Sequence, residues 1–249
     1  MTSPAQLEHR KARMLAYAHA HDIAIPTGFD ASVGVFGPPA LRLLQAIQRH
    51  LRLRPTGAWS AALESALCPK DPHVILHAYH AAHSSGTRQL SAVWWFVLHD
   101  MENDDYRRAA EETGAFFERG SSTGSTHFGV DNDSIQQYLP LGAIPWGAPH
   151  ANTNGVHIEQ MGSAAWSHEQ WMDRAGATLT NTAWLLADLH SRPELAHVPL
   201  RLLSDREVRA QAKGVVTHRQ ISRIFGGSHT DPGSNYPLAY VIERSRKAT

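Results

Sequence analysis

The chain of 249 residues carries 23 Lys and Arg, 23 Asp and Glu, 17 His and a single Cys. That length buries a sizeable core, as one large domain or two small ones. A formal charge of zero argues against a protein that lives on nucleic acid. The lone Cys68 excludes an intramolecular disulfide framework and a zinc site built on several thiolates. The longest strictly apolar run, Ala92 to Leu98, is far too short to span a bilayer, so no membrane insertion is expected. The opening segment MTSPAQLEHRKARML has no apolar core of the signal-peptide kind, and synthesis in the cytosol is the expectation. What remains is a soluble protein with a surplus of histidine and carboxylate, a leaning toward nitrogen and oxygen ligands for a metal.

The first seventy residues read as helices broken by Gly/Pro turns. Helices are predicted over 5–21, over Pro38 to Leu51 with Leu41, Leu44, Ile47 and Leu51 at helical spacing, and over 60–67. The pair GVFGPPALRLLQAIQ (34–48) and PTGAWSAALESAL (55–67) resembles the three-helix peptidoglycan-binding domain. That likeness implies a small all-helical wall-binding module over 1–70.

Residues 71–88 form the junction, predicted as a linker helix opened by Asp71-Pro72 and stopped by Ser84-Ser85-Gly86. It would place His73, His77 and His80 on one face, and two histidines at that spacing can chelate zinc. The plainer outcome is a half-exposed helix whose histidines meet solvent.

From residue 89 the texture becomes mixed. Strands are predicted over 91–99, 126–131, 134–140, 155–161 and 214–218, with helices over 104–119 and, as one long element, 163–191. Interleaved strands and helices make an α/β domain over 89–249, of ordinary size.

Three strand-like runs end in a ligand or an acid: His99 after Val97-Leu98, Glu159 after His157-Ile158, and His218 after Val216-Thr217. The last leads to a loop closing with His229-Thr230-Asp231-Pro232-Gly233. Groups at the hand-over from strand to loop are fixed by the scaffold and still open to ligand. His99, His218 and Asp231 would give two imidazoles and one carboxylate, enough for a hydrolytic zinc with one open position. The ordinary alternative is a pair of histidines satisfied by backbone and a turn aspartate before Pro-Gly.

Four segments, taken in order, resemble the type-2 N-acetylmuramoyl-L-alanine amidases, a zinc amidase domain shared with peptidoglycan recognition proteins and phage endolysins. They are WFVLHDMEND (95–104), AAEETGAFFERGSSTGSTHFGVDNDSIQQYLP (109–140), IPWGAPHANTNGVHIEQMG (144–162) and GVVTHRQISRIFGGSHTDPG (214–233). The resemblance implies a mixed central sheet flanked by helices. It implies zinc held by His99, His218 and Asp231, Glu159 as the acid that activates water, and cleavage of the amide between N-acetylmuramic acid and L-alanine of the stem peptide. His229 falls where the family usually has a lysine facing the developing oxyanion. A lysine there is permanently charged, whereas a histidine donates either as a cation or through one neutral nitrogen. Within the family's Ala-Trp-His-Ala-Gly segment Trp146 is kept and Gly147 replaces the histidine, with His150 a possible spatial substitute. His127, Trp146 and Asn154 are candidates for lining a peptidoglycan groove. Two other classes fit the same motifs: a receptor that binds peptidoglycan without cutting it, and a zinc peptidase acting within the stem peptide.

Overall fold

The computed structural model describes residues 23–30, 35–60, 75–104 and 108–248, with separate positions between 7 and 18 and at 63 and 67. The chain divides into two compact units, 1–72 and 73–249.

In the first unit the described positions among 5–21 are helical, as are Leu63 and Leu67. Helix α1, Pro38–His50, starts where Gly37 turns extended and prolines occupy the first turn, which needs no N–H partners. Its buried stripe is Ala40, Leu43, Leu44 and Ile47. This corrects the expected register, since Leu41 is exposed. Met14, Ala18, Leu63 and Leu67 complete the core. Buried Gln48 satisfies both ends of its amide: Nε2 donates to the Ala58 carbonyl at 2.9 Å, and Oε1 accepts from the Gly57 N–H at 2.9 Å.

The second unit is built on a six-stranded sheet. Its strands are β1 (Ile75–Leu76), β2 (Trp95–Leu98), β3 (Phe128–Val130), β4 (Ile135–Gln137), β5 (Gly155–Gln160) and β6 (Gly214–Thr217). Their order is β1-β4-β3-β5-β2-β6, and every neighbouring pair is parallel except the β3–β4 hairpin. The helices are α2 (Ala109–Phe117), α3 (His168–Arg174), α4 (Gly176–Ser191), α5 (Asp205–Arg209), α6 (His218–Phe225) and α7 (Leu238–Ala248). Strand alternation sorts the core into two layers. Phe96, Leu98, Val156, Ile158 and Val215 meet α3, α4 and α7. Trp95, Val97 and Val216 meet α5, α6 and the loop around Ala148 and Ala151. Among the described residues no helix is long and apolar enough to cross a membrane.

Three expectations for this unit need correction. The linker helix over 71–88 does not form among its described residues: Ile75 and Leu76 pair in parallel with Ile135 and Gln136. Downstream, Ala81, Ser85 and Arg88 donate backbone N–H groups to Tyr138, Ile144 and Gly142. The physical reason is the sheet edge, whose unpaired groups on β4 outweigh a weak local helix preference. Arg88 then ties the segment down, donating to the carbonyls of Asn152, Thr153 and Gly155 at 2.7–2.8 Å. Asp71, Pro72 and His73 lie outside the described residues.

The single helix over 163–191 is two. Ser167 opens α3 with a capping box closed by Gln170, and the chain breaks at Ala175 before α4. Asn132, from the distant β3–β4 turn, fills the break: its Oδ1 accepts from the Thr178 N–H at 3.1 Å and from the Thr178 hydroxyl at 3.0 Å. A tertiary side chain thus caps the second helix where Gly176 weakens it. The strand over 214–217 also leads into α6 instead of a loop, with Thr217 capping the Gln220 N–H at 3.1 Å.

Candidate metal centre

The register of three parallel strands builds the site. Leu98 stands opposite both Ile158 and Thr217, so the next residues, His99, Glu159 and His218, come abreast at the carboxyl ends of β2, β5 and β6. Ligands in open parallel sheets bind at that end. His218 is the first residue of α6, and Asp231 arrives on the loop that follows, its carbonyl accepting the Arg219 N–H at 2.7 Å.

Both histidines aim Nδ1 at one carboxylate oxygen: His99 Nδ1 and His218 Nδ1 each lie 3.1 Å from Asp231 Oδ2. One ligand atom from each of the three residues falls within 4.8 Å of the others, and this is the sole such group among the described residues. Glu159 Oε1 is 4.0 Å from His99 Nδ1. His229 stacks on His218 with ring centroids 4.0 Å apart, and its Nδ1 is 3.6 Å from Asp231 Oδ1.

The charges follow from burial and neighbours. Burial pushes the His99 imidazole down, partly offset by Asp231, and favours the neutral ligand form. For Asp231 burial acts upward, but hydrogen bonds and charge from His218 and His99 together hold the carboxyl well below its usual range. Glu159 is pushed well up by burial, then by the charges of Asp231 and Asp100. Asp100 itself is pushed up to about 7, chiefly by burial. Two imidazoles and one ionised carboxylate are a donor set that suits zinc with an open position. Buried His218 Nε2 and Glu159 Oε2 have no protein partner.

These groups line a cavity of about 720 Å³, walled further by Thr126, Trp146 and Asn152. Trp146 is 41 % exposed on the rim. Its ring stacks on His83 at 4.5 Å, and Nε1 donates to Ser85 Oγ at 2.7 Å.

Two expected groove residues lie elsewhere. His127 is fully buried beside β5, with Nδ1 accepting from the His157 N–H at 3.1 Å; burial, then Arg88, pushes its pKa down to about 3. Asn154 is a structural tie, donating from Nδ2 to the Ala92 carbonyl at 2.7 Å. The asparagine on the cleft is Asn152, whose Oδ1 accepts from the Gly147 and Ala148 N–H groups at 3.0 and 2.7 Å. His150 does not stand in for the missing loop histidine; it is exposed and stacks on Phe225 at 5.6 Å. His77 and His80 are exposed on the extended segment and belong to no metal-capable group among the described residues. The residue that sequence reasoning missed is His157, beside His99. Its signal was there: in His157-Ile158-Glu159, the period of two puts His157 on the face of Glu159.

Residues 89–234 match the family model described as N-acetylmuramoyl-L-alanine amidase. The chain belongs to that family. It is an amidase domain on the fold just described, and solved structures share the fold at low identity. The Staphylococcus aureus hydrolase AmiA, solved in complex with its ligand, is 18 % identical with a TM-score of 0.52, covering 75 % of this chain and 91 % of its own. PlyL is 15 % identical with a TM-score of 0.50, covering 70 % and 98 %. A mutant endolysin from Bacillus subtilis is 19 % identical with a TM-score of 0.46, covering 70 % and 98 %. A search of curated proteins finds no match.

Proposed function

We propose that this amidase is a zinc-dependent peptidoglycan hydrolase of the endolysin type, cutting between the lactyl group of N-acetylmuramic acid and L-alanine of the stem peptide. The observation that carries the reading is the convergence of His99, His218 and Asp231 within 4.8 Å at the floor of an open cleft, with Glu159 4.0 Å from His99. Zinc bound by these three would supply a Lewis acid and bring the pKa of water from 15.7 toward about 7.

The chain's own residues do the rest. Glu159, with its proton affinity raised by burial and by Asp231 and Asp100, takes the proton of the attacking water and returns it to the leaving amine of L-alanine. Asp231, kept ionised, brings Oδ2 to 3.1 Å from both His99 Nδ1 and His218 Nδ1, the three donor atoms that zinc would take. His229, on the open side of His218, is placed to donate to the oxygen that gains charge as the carbonyl becomes tetrahedral. Trp146 offers a flat apolar rim to a sugar ring or a lactyl group. The helical unit is read as the wall-binding module; removing residues 1–72 should leave hydrolysis of soluble fragments and reduce co-sedimentation with purified cell walls.

The test is digestion of defined peptidoglycan by the zinc-loaded protein, followed by mass spectrometry. The expected products are free stem peptides with an L-alanine amino terminus and glycans bearing free lactyl carboxylates. Cuts confined to the interior of the peptide would make the protein a peptidase. Binding without products would make it a receptor.

A further inference from the structure

His99 has two ring nitrogens, and the one that faces away from Asp231 lies against a group with no role so far. His99 Nε2 is 2.9 Å from Nδ1 of His157, which is fully buried on β5. The other nitrogen of that ring, His157 Nε2, is 3.3 Å from the carbonyl oxygen of Ala151. A carbonyl only accepts, so His157 carries its proton on Nε2 and leaves a lone pair on Nδ1. His99 must then donate its Nε2–H into that lone pair. The outcome is a bare Nδ1 on His99, pointing at Asp231 Oδ2 from 3.1 Å. Two lone pairs facing across that gap are arranged for a cation between them.

The position of His157 is itself secured. Its backbone N–H donates to His127 Nδ1 at 3.1 Å, and its carbonyl accepts the His127 N–H at 3.1 Å. His127 in turn reaches the Ala143 carbonyl with Nε2 at 3.1 Å. Two glycines make room for the ring. A Cβ on Gly147 would sit 2.5 Å from His157 Nδ1, and one on Gly155 would sit 2.7 Å from His157 Nε2. Gly147, where the family's loop has a histidine, thus leaves open the space beside the His157 ring.

We propose that His157 is a positioning residue for the metal centre, accepting the Nε2–H of His99 so that His99 presents Nδ1 as a ligand, with Gly147 and Gly155 kept small to house its ring. This rests on the reading of His99 as a metal ligand. Partners of this kind are worth about 10- to 100-fold in metal affinity.

The experiment compares the wild type with His157→Asn, which keeps an acceptor near the place of Nδ1, and His157→Leu, which keeps bulk without one. Gly147→Ala, which removes no polar group, crowds the ring. Long-range nitrogen–proton NMR of the metal-free protein reads the tautomer of His99, chelator competition reads zinc affinity, and circular dichroism confirms folding. Wild type should show His99 protonated at Nε2. Folded His157→Leu should show a mixture of tautomers and zinc affinity lower by about 10- to 100-fold; His157→Asn should recover most of it, and Gly147→Ala should fall between. A His99 tautomer and zinc affinity unchanged in folded His157→Leu would overturn the proposal, as would wild-type His99 protonated at Nδ1. If His157→Leu does not fold, Gly147→Ala decides alone: unchanged tautomer and affinity overturn the proposal. A wild type that takes up no zinc would instead remove the metal reading, while the tautomer spectrum still decides what His157 does to His99.

Discussion

The two faces of the sheet are made from the same strands and solve different problems. On one, Phe96, Leu98, Val156, Ile158 and Val215 lie under α3, α4 and α7 in an apolar layer closed by Trp171, Leu179 and Leu186. On the other, Val97 and Val216 are apolar, but His157 stands level with Val97, and one step further along this face come His99, Glu159 and His218. The first face is stabilised by area removed from water and is indifferent to the identity of individual polar atoms. The second buries polar groups, and each must find a partner or a ligand. Stability and chemistry are therefore divided between faces, and a slip of one residue in any strand would exchange them.

That division is broken hardest at Glu159. Glu159→Gln removes the group that carries the proton and should lower turnover about 10²- to 10⁴-fold. Zinc content and the thermal midpoint should stay near wild type, because the amide is the same size and no apolar contact is lost. Activity within a few fold of wild type would take Glu159 out of the mechanism. The mirror experiment is Leu179→Ala on the covered face, where a fully buried side chain of α4 is lost. Unfolding in urea should show a loss of about 2–5 kcal/mol, while zinc per folded chain and turnover under native conditions are kept. Loss of zinc binding in that folded variant would mean the two faces are coupled.

A third effect is smaller and runs with pH. His127 is buried on the site-bearing side with its pKa pushed down to about 3, by burial and then by Arg88. The folded protein keeps it neutral, while the unfolded chain takes a proton below an ordinary histidine value of about 6.5. Its contribution to stability is thus fully present above that pH and is lost progressively as pH falls toward 3. Asp100, pushed up to about 7 chiefly by burial, acts with the opposite sign, its contribution fading as pH rises toward 7. The difference between wild type and His127→Gln isolates the histidine. In the metal-free protein, stability should fall more steeply from pH 6 to pH 4 in wild type than in the variant, and parallel curves would contradict this assignment.

The same contrast explains what could be read from the amino-acid order. His99, Glu159 and His218 were legible because each directly follows strand residues such as Leu98, Ile158 and Thr217, and parallel register brings those positions together. The covered face was legible as strand and helix periodicity, but the break between α3 and α4 was not. It depends on Asn132, more than forty residues away in sequence from Thr178. The helix expected over 71–88 failed for a similar reason, since the partner of Ile75 is Ile135. His127 has the strand phase of the site-bearing face, yet it ends up behind His157 and against Arg88, 3.3 Å from Nη2. Alternation gives the face of a residue and says nothing about depth. Depth is set here by Arg88, which gathers the loops at 141 and 152–155 over that part of the sheet.

The rim of the cleft belongs to neither face, and it sharpens the comparison at its weak end. Trp146 is 41 % exposed, and its ring stacks on His83 and donates one hydrogen bond to Ser85. Trp146→Ala should therefore cost about 1 kcal/mol or less in stability, the scale of an exposed aromatic pair. Its ring lines the same cavity as Glu159 and His229, so any larger effect must arise through substrate. If the ring binds sugar or lactyl equally in the ground and transition states, KM for a soluble muropeptide should rise while kcat holds. If instead the ring aligns the scissile amide against Glu159, kcat should fall as well, because misplacement is felt only as the barrier is crossed. Steady-state kinetics on one defined muropeptide separate the two, and unchanged kinetics would reduce Trp146 to a wall of the cleft with no part in recognition.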